Sequence, residues 1–368
     1  MRVFVSGATG YLGSRLVPAL LAAGHEVTAG ARAPERLAEF PWAQLVRAAE
    51  FDVLRPDTMP AALTGCDAAV YLVHSMADRD FARIDATAAA EFARAAEAAG
   101  LDRIVYQSGL VPADCPQVRT DLFTGASARN ATRHSEHVRS RLEVEQILLA
   151  GAVPALSLRA AIIVGAGSTS FELVRRLTER LPAIPVPGWM HHWVQPIAVV
   201  DVLRALTWAI SSTRTGFIDI GGPDVMTYPD FIRLYASVAG LHRPHVPAGP
   251  VPAEAVGPAV ARITGLPAPV VTALAHSVAE DMICTHPGAD DWFSDAPRLD
   301  TASAIRRALS PTRTGTTPGG DPQTGADTDP RWAGGNVEID GATRFRSSFG
   351  HVLPLDRARP GRLRFPRH

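Results

Sequence analysis

The chain of 368 residues carries 36 basic and 37 acidic side chains, a formal net charge of −1, which gives no electrostatic case for a nucleic-acid partner. Every basic residue is arginine; there is no lysine. Three widely spaced cysteines, Cys66, Cys115 and Cys284, suggest neither a disulfide framework nor a zinc site.

Arg2 to Val5 is a short β-rich apolar run that stops at Ser6 and Gly7. Gly7, Gly10 and Gly13 follow at three-residue spacing, and from Leu12 the pattern turns helical, with Leu12, Leu16 and Leu20 on one face. Gly24 is the expected stop of that helix, and His25 to Ala31 reads as a second strand. Strand, glycine turn, helix and strand in this order are the first βαβ unit of a dinucleotide-binding fold. Gly7 supplies the tight turn, Gly10 lets backbone approach a pyrophosphate, and Gly13 lets the helix pack on the strand. Unpaired amides at the helix N-terminus, from Thr9 through Tyr11 and Leu12, favour an anion there. An acid at the end of the second strand would favour NAD. Arg32, with Arg36 behind it, stands there instead, and a guanidinium pairs well with a 2′-phosphate. NADP is therefore expected, with NAD as the alternative.

Gly-Ala-Thr-Gly-Tyr-Leu-Gly, followed by Arg32, resembles the extended and atypical short-chain dehydrogenase/reductases, and among them the NmrA-like NAD(P)-binding proteins, over about residues 1–300. The resemblance implies a doubly wound α/β Rossmann-type parallel sheet in the order 3-2-1-4-5-6, with right-handed crossovers. It also implies a smaller C-terminal substrate-binding subdomain. Leu45 to Val53 reads as the third strand, and the resemblance implies that Asp52 and Val53 touch the adenine. Thr58 to Leu63 reads as a short helix and Ala68 to Val73 as a strand buried on both faces. Val73, His74 and Ser75 resemble the segment beneath the nicotinamide ribose. Asp80 to Ala99 is an alanine-rich helix stopped by Gly100, and Arg103 to Gln107 is the fifth strand. The resemblance makes Ser108, at its end, a residue facing the substrate.

His134 to Leu149 is the next helix and Leu156 to Val164 the next strand. Gln195 to Val202 resembles the segment returning to the main domain, and Phe217 to Ile220 is another strand. The expected organisation is one NAD(P)-binding domain over 1–308. Its Rossmann core covers about 1–165 and 195–222, and its substrate side about 166–194 and 223–308. From Ser310 to Asp329, Thr, Gly, Pro and Asp dominate and predict a flexible linker. Residues 309–368 together read as linker and basic, poorly structured tail. Trp332-Ala333-Gly334-Gly335 is similar to the start of a second domain fused to some relatives.

Reductases of this superfamily use a Tyr-x-x-x-Lys helix. A chain without lysine has no such pair. By register, His137 falls at the tyrosine position and Arg141 at the lysine position. Arg141 keeps its charge and is expected to hold ribose or phosphate; His137, with an ordinary pKa near neutrality, is expected to shuttle the proton, with Ser108 or water as alternatives. His134, Glu136 and His137 lack a third metal ligand, so no metal is expected. His191 and His192, between Trp189 and Trp193, read as an aromatic pocket entrance or as packing.

Three functions compete. The first is an NADP-dependent oxidoreductase acting on a small organic substrate. The second is a non-catalytic NADP(H)-sensing regulator of NmrA-like type, and the third an epimerase- or dehydratase-like isomerase. No apolar run approaches the roughly 18 residues of a membrane span, and the N-terminus lacks a signal-peptide pattern. A cytoplasmic monomer or homodimer, with a small-molecule substrate and no nucleic acid, is expected.

Overall fold

The computed structural model describes residues 1–74, 80–112, 136–249, 251–286, 296–310 and 320–329. Its centre is a parallel sheet of seven strands. In chain order these are β1 (Arg2–Val5), β2 (Glu26–Ala31), β3 (Arg47–Glu50), β4 (Ala68–Tyr71), β5 (Arg103–Gly109), β6 (Ala155–Ala160) and, after several shorter elements, β11 (Gly216–Ile220). The spatial order is β3-β2-β1-β4-β5-β6-β11, the expected 3-2-1-4-5-6 sheet with one more parallel strand on β6. Registers such as Val3 opposite Val27 and Val5 opposite Val70 align apolar residues across the sheet. Both faces are covered, which is why these strands read as continuous apolar runs.

Helix α1 (Tyr11–Ala22) packs beside α6 (Val199–Ser211) on one face. Leu16, Val17 and Leu20 join Val202, Leu206 and Ile210 in that core. Helices α2 (Met59–Leu63), α3 (Phe81–Ala98) and α4 (Glu136–Ala150) cover the other face, where Phe4, Phe51, Tyr71 and Phe92 cluster. A third apolar cluster lies beyond the sheet, mainly in the C-terminal half of the chain. It joins α5 (Thr169–Arg180), α7 (Tyr228–Val238) and α10 (Thr301–Leu309) through Phe171, Phe231, Tyr235 and Ile305. No helix among the described residues is long and apolar enough to cross a membrane.

Three expectations change. The strand expected over Leu156 to Val164 divides: β6 ends at Ala160, and β7 (Ile163–Val164) leaves the sheet to pair with β10 (Ile197–Ala198). The third strand is shorter than expected and ends before Asp52, which opens a turn: its Oδ1 accepts from Leu54 N at 3.0 Å. The largest correction is at the supposed flexible linker. Residues 320–329 pack onto the domain. Gln323 is fully buried; its side-chain NH2 donates to Val164 O (2.7 Å) and Ala304 O (3.1 Å), and its main-chain carbonyl accepts from Ala166 N (3.1 Å). Composition misled here because a polar segment can be buried once carbonyls and charges elsewhere in the chain take up its donors and acids. Residues 311–319, and the tail from 330 onward with its Trp-Ala-Gly-Gly stretch, lie outside the described residues.

Candidate functional site

The glycine turn has the geometry its spacing predicts. Gly7 sits at φ +62°, in the left-handed region that favours glycine. A Cβ on Gly13 would lie 2.2 Å from Gly7 O and 2.8 Å from Ala8 Cα, so only glycine lets α1 start this close to the turn. Gly10 caps α1 in extended backbone with no side-chain cap, and there is no acid in the helix's first turn. Those first-turn amides and the positive end of the helix are left to an anion, which fits a dinucleotide pyrophosphate. The Tyr11 hydroxyl is buried and has no partner among the described residues, a further sign that a polar ligand belongs here. Ala8 N donates to Gly30 O at 3.0 Å, so the turn is tied to the end of β2, where Arg32 follows, exposed.

A cleft of about 400 Å³ opens at the carboxyl ends of the strands. Gly7, Gly10, Tyr11, Leu12 and Gly13 line one end of it. His74 after β4, Ser108 on β5, and His137 and Arg141 on α4 line the other. Thus α4 brings the two residues at the Tyr and Lys positions to the cleft, four apart on one helix face. Thr9, Arg32, Arg36, Asp52, Val53 and Val73 lie outside its lining, and Ser75 and His134 lie outside the described residues. Arg36 is exposed and lies 3.9 Å from Glu39. Among the described residues no group of three or more His, Cys, Asp or Glu is placed to hold a metal. Trp189, His191, His192 and Trp193 do not form the cleft entrance. Trp193 is 47 % exposed, and His192 Nδ1 pairs instead with Asp281 Oδ1 at 3.0 Å.

Four side chains form a hydrogen-bonded series. Asp85 Oδ2 lies 2.7 Å from His74 Nδ1, His74 Nε2 lies 3.1 Å from His137 Nδ1, and Arg141 Nε donates to His137 Nε2 at 3.3 Å. Burial, followed by the Arg141 charge, lowers the His74 pKa to about 4 against the opposing pull of Asp85. Burial, Arg141 and His74 together lower that of His137 to about 2. The near-neutral His137 expected from sequence is therefore corrected: the ring is neutral at physiological pH, with both nitrogens engaged.

Sequence reading missed Asp85, the inner member of this series. It is 2 % exposed and shares a face of α3 with Ala88, Ala89 and Phe92. An acid on the apolar stripe of an alanine-rich helix was the available signal. It also missed the far wall, where Tyr228, Leu274 and Met282 close the cleft. Nothing local marks these, since distant segments bring them together.

Residues 7–145 match the family model described as NAD(P)H-binding. An uncharacterized protein of Mycobacterium tuberculosis is 29 % identical over 250 residues, covering 68 % of this chain; the chain spans only 24 % of that relative's length. A 3-diazoavenalumate denitrifying reductase of Streptomyces sp. is 28 % identical over 265 residues, 66 % of this chain and 83 % of the relative. Among solved structures, the triphenylmethane reductase of Citrobacter sp., complexed with NADP(H), aligns with a TM-score of 0.63 at 17 % identity, covering 84 % of this chain and 100 % of the other. An NADPH-dependent quinone oxidoreductase of Escherichia coli aligns with a TM-score of 0.62 at 17 % identity, covering 83 % and 98 %. The two structures share the fold. Fold and glycine turn define a Rossmann-type protein, and its residues 7–145 are similar to NAD(P)H-binding domains.

Proposed function

We propose that this protein is an NADP(H)-dependent oxidoreductase that exchanges a hydride with a small organic substrate held in the cleft. One observation carries the reading: the phosphate-binding turn and the β5–α4 face line a single cavity, so a dinucleotide on the turn would extend toward Ser108, His137 and Arg141. A bound nicotinamide would supply or accept the hydride. The amides of Gly7 to Gly13 would hold the pyrophosphate, and Arg32 and Arg36 the 2′-phosphate. Asp52 and Val53 would border the adenine, and Val73 and His74 the nicotinamide ribose. Tyr228, Leu274 and Met282 would enclose the substrate and keep water out. The relatives named as reductases support the reaction type.

A second reading, an NADP(H) sensor, has one observation in its favour: neither cleft histidine offers a proton near neutral pH. A screen of carbonyl and activated-alkene compounds, read by loss of NADPH fluorescence, separates the two. Turnover that is faster with NADPH than with NADH is expected. Tight NADPH binding without turnover across a broad panel would replace the enzyme reading with the sensor.

A further inference from the structure

The series Asp85–His74–His137–Arg141 has a direction, and its two ends set it. Arg141 Nε–H is a donor at every working pH, so His137 Nε2 must accept. His137 then carries its proton on Nδ1 and gives it to His74 Nε2. His74 in turn carries its proton on Nδ1 and gives it to the Asp85 carboxylate, which can only accept. No other tautomers satisfy all three contacts. Both rings are thereby spent, and neither turns a free N–H into the cleft.

The effect of the series is on Arg141. Its Nε is taken by His137, and its Nη1 donates to Gln107 O at 3.4 Å. Its stem rests on Gly109, where a Cβ would stand 3.1 Å from Cδ. The guanidinium is half-buried in the cleft lining, and Nη2 has no partner among the described residues. A cation held through Nε, Nη1 and its stem, with Nη2 unpartnered among the described residues, is a preorganised site for negative charge.

We propose that Asp85 and His74 are positioning residues that lock His137 and so hold Arg141 as a stationary cation, and that the cleft reduces conjugated carbonyl compounds whose reduced form carries its negative charge on an oxygen against Arg141. This rests on the oxidoreductase reading. Such an acceptor gains hydride at the carbon β to its carbonyl. The C=C electron pair moves toward oxygen, the enolate is held by Arg141, and water later supplies the proton. A saturated ketone would become a far more basic alkoxide and would need an acid in reach as the C–H bond forms. The cleft's two phenols, Tyr11 and Tyr228, are poor acids because burial pushes both above their ordinary pKa. A cationic acceptor would be repelled by the same guanidinium.

The test begins without turnover. Nitrogen-15 NMR of the full chain reads the imidazole tautomers directly. Nδ1–H forms at both His74 and His137, unchanged over about pH 6–8, are expected; an Nε2–H form at His137 would overturn the lock. The next step is Arg141→Gln. With a cyclic enone, kcat should fall about 10²–10³-fold, the usual loss of an oxyanion donor, while the NADPH Kd stays nearly constant. Weakened NADPH binding with unchanged kcat would put Arg141 on the cofactor ribose and end the proposal. His74→Phe should lower kcat with little change in the KM for the enone, and unchanged kcat would count against its positioning role. Saturated ketones reduced as fast as enones would overturn this proposal alone. If NADPH binds and no acceptor of any class is reduced, the oxidoreductase reading itself fails.

Discussion

Arg15 and Asp329, 314 residues apart in sequence, face each other in a buried ion pair of 2.7 Å. Arg15 belongs to the first turns of α1, just behind the glycine turn, and its guanidinium lies 4.2 Å over the Tyr11 ring. It also donates to Pro322 O (3.0 Å), Thr324 O (3.2 Å) and Ala166 O (3.0 Å). Asp329 in turn accepts from Ala326 N and lies where a Cβ on Gly167 would stand, 2.7 Å away. One arginine thus ties the dinucleotide turn, the segment before α5 and residues 320–329 into one unit.

Removing one partner strands the other in a site 5–6 % exposed. Asp329→Ala should therefore cost about 3–5 kcal/mol, measured by urea unfolding. The double replacement Arg15→Met with Asp329→Leu should cost less than the single one, because no charge is left buried. Ending the chain at Ser310 should lower both stability and NADPH affinity. A truncated chain as stable as the full one would show that the segment merely rests on the domain.

Acid should weaken the fold through His74 and His137. Both have folded-state pKa values below the unfolded value near 6.5, about 4 and about 2. Below pH 6.5 the unfolded chain binds protons that the folded chain refuses, so stability falls as pH falls. The loss should run from about pH 6.5 to 4 for His74 and continue lower for His137, at up to about 1.4 kcal/mol per pH unit for each ring. Urea midpoints measured across this range should drop more steeply in the wild type than in a His74→Phe, His137→Phe double variant. Equal slopes would mean that the rings are open to solvent.

The glycines should separate folding from binding. Gly13→Ala puts a methyl 2.2 Å from backbone oxygen and should destabilise by on the order of 1–3 kcal/mol or more. Gly10→Val meets protein only at 3.2 Å, so it should fold and yet lose cofactor-dependent thermal stabilisation, because the side chain enters the pyrophosphate's space. Undiminished stabilisation of Gly10→Val by NADPH would remove the phosphate from this turn.

Arg32 should decide between the dinucleotides. Arg32→Ala should weaken NADPH by about 1.5–3 kcal/mol and leave NADH nearly unchanged, as read by fluorescence titration. An unchanged NADPH-to-NADH ratio would assign the 2′-phosphate to other residues.

The sheet was legible because its evidence is local: the glycine spacing, a 3.6-residue apolar period in α1, and apolar runs that suit strands covered on both faces. The absence of the Tyr–Lys pair was legible too, since a chain without lysine cannot form it. The cleft residues on α4 were legible by register. What His137 does there was not, because its charge state depends on Asp85 and His74, 52 and 63 positions away. The packed segment around Gln323 was hidden for a related reason. A glutamine or an aspartate looks like linker composition until the carbonyls and the arginine that satisfy it are brought up from elsewhere in the chain.

The most direct test of the account follows the hydride itself. The full chain is given NADPH deuterated at the transferable C4 position, together with a cyclic enone, and the product is examined by mass spectrometry and NMR. The account predicts one deuterium on the carbon β to the carbonyl, with a solvent proton on the carbon next to it. Product with no deuterium, or enone left unreduced while NADPH remains tightly bound, would contradict it.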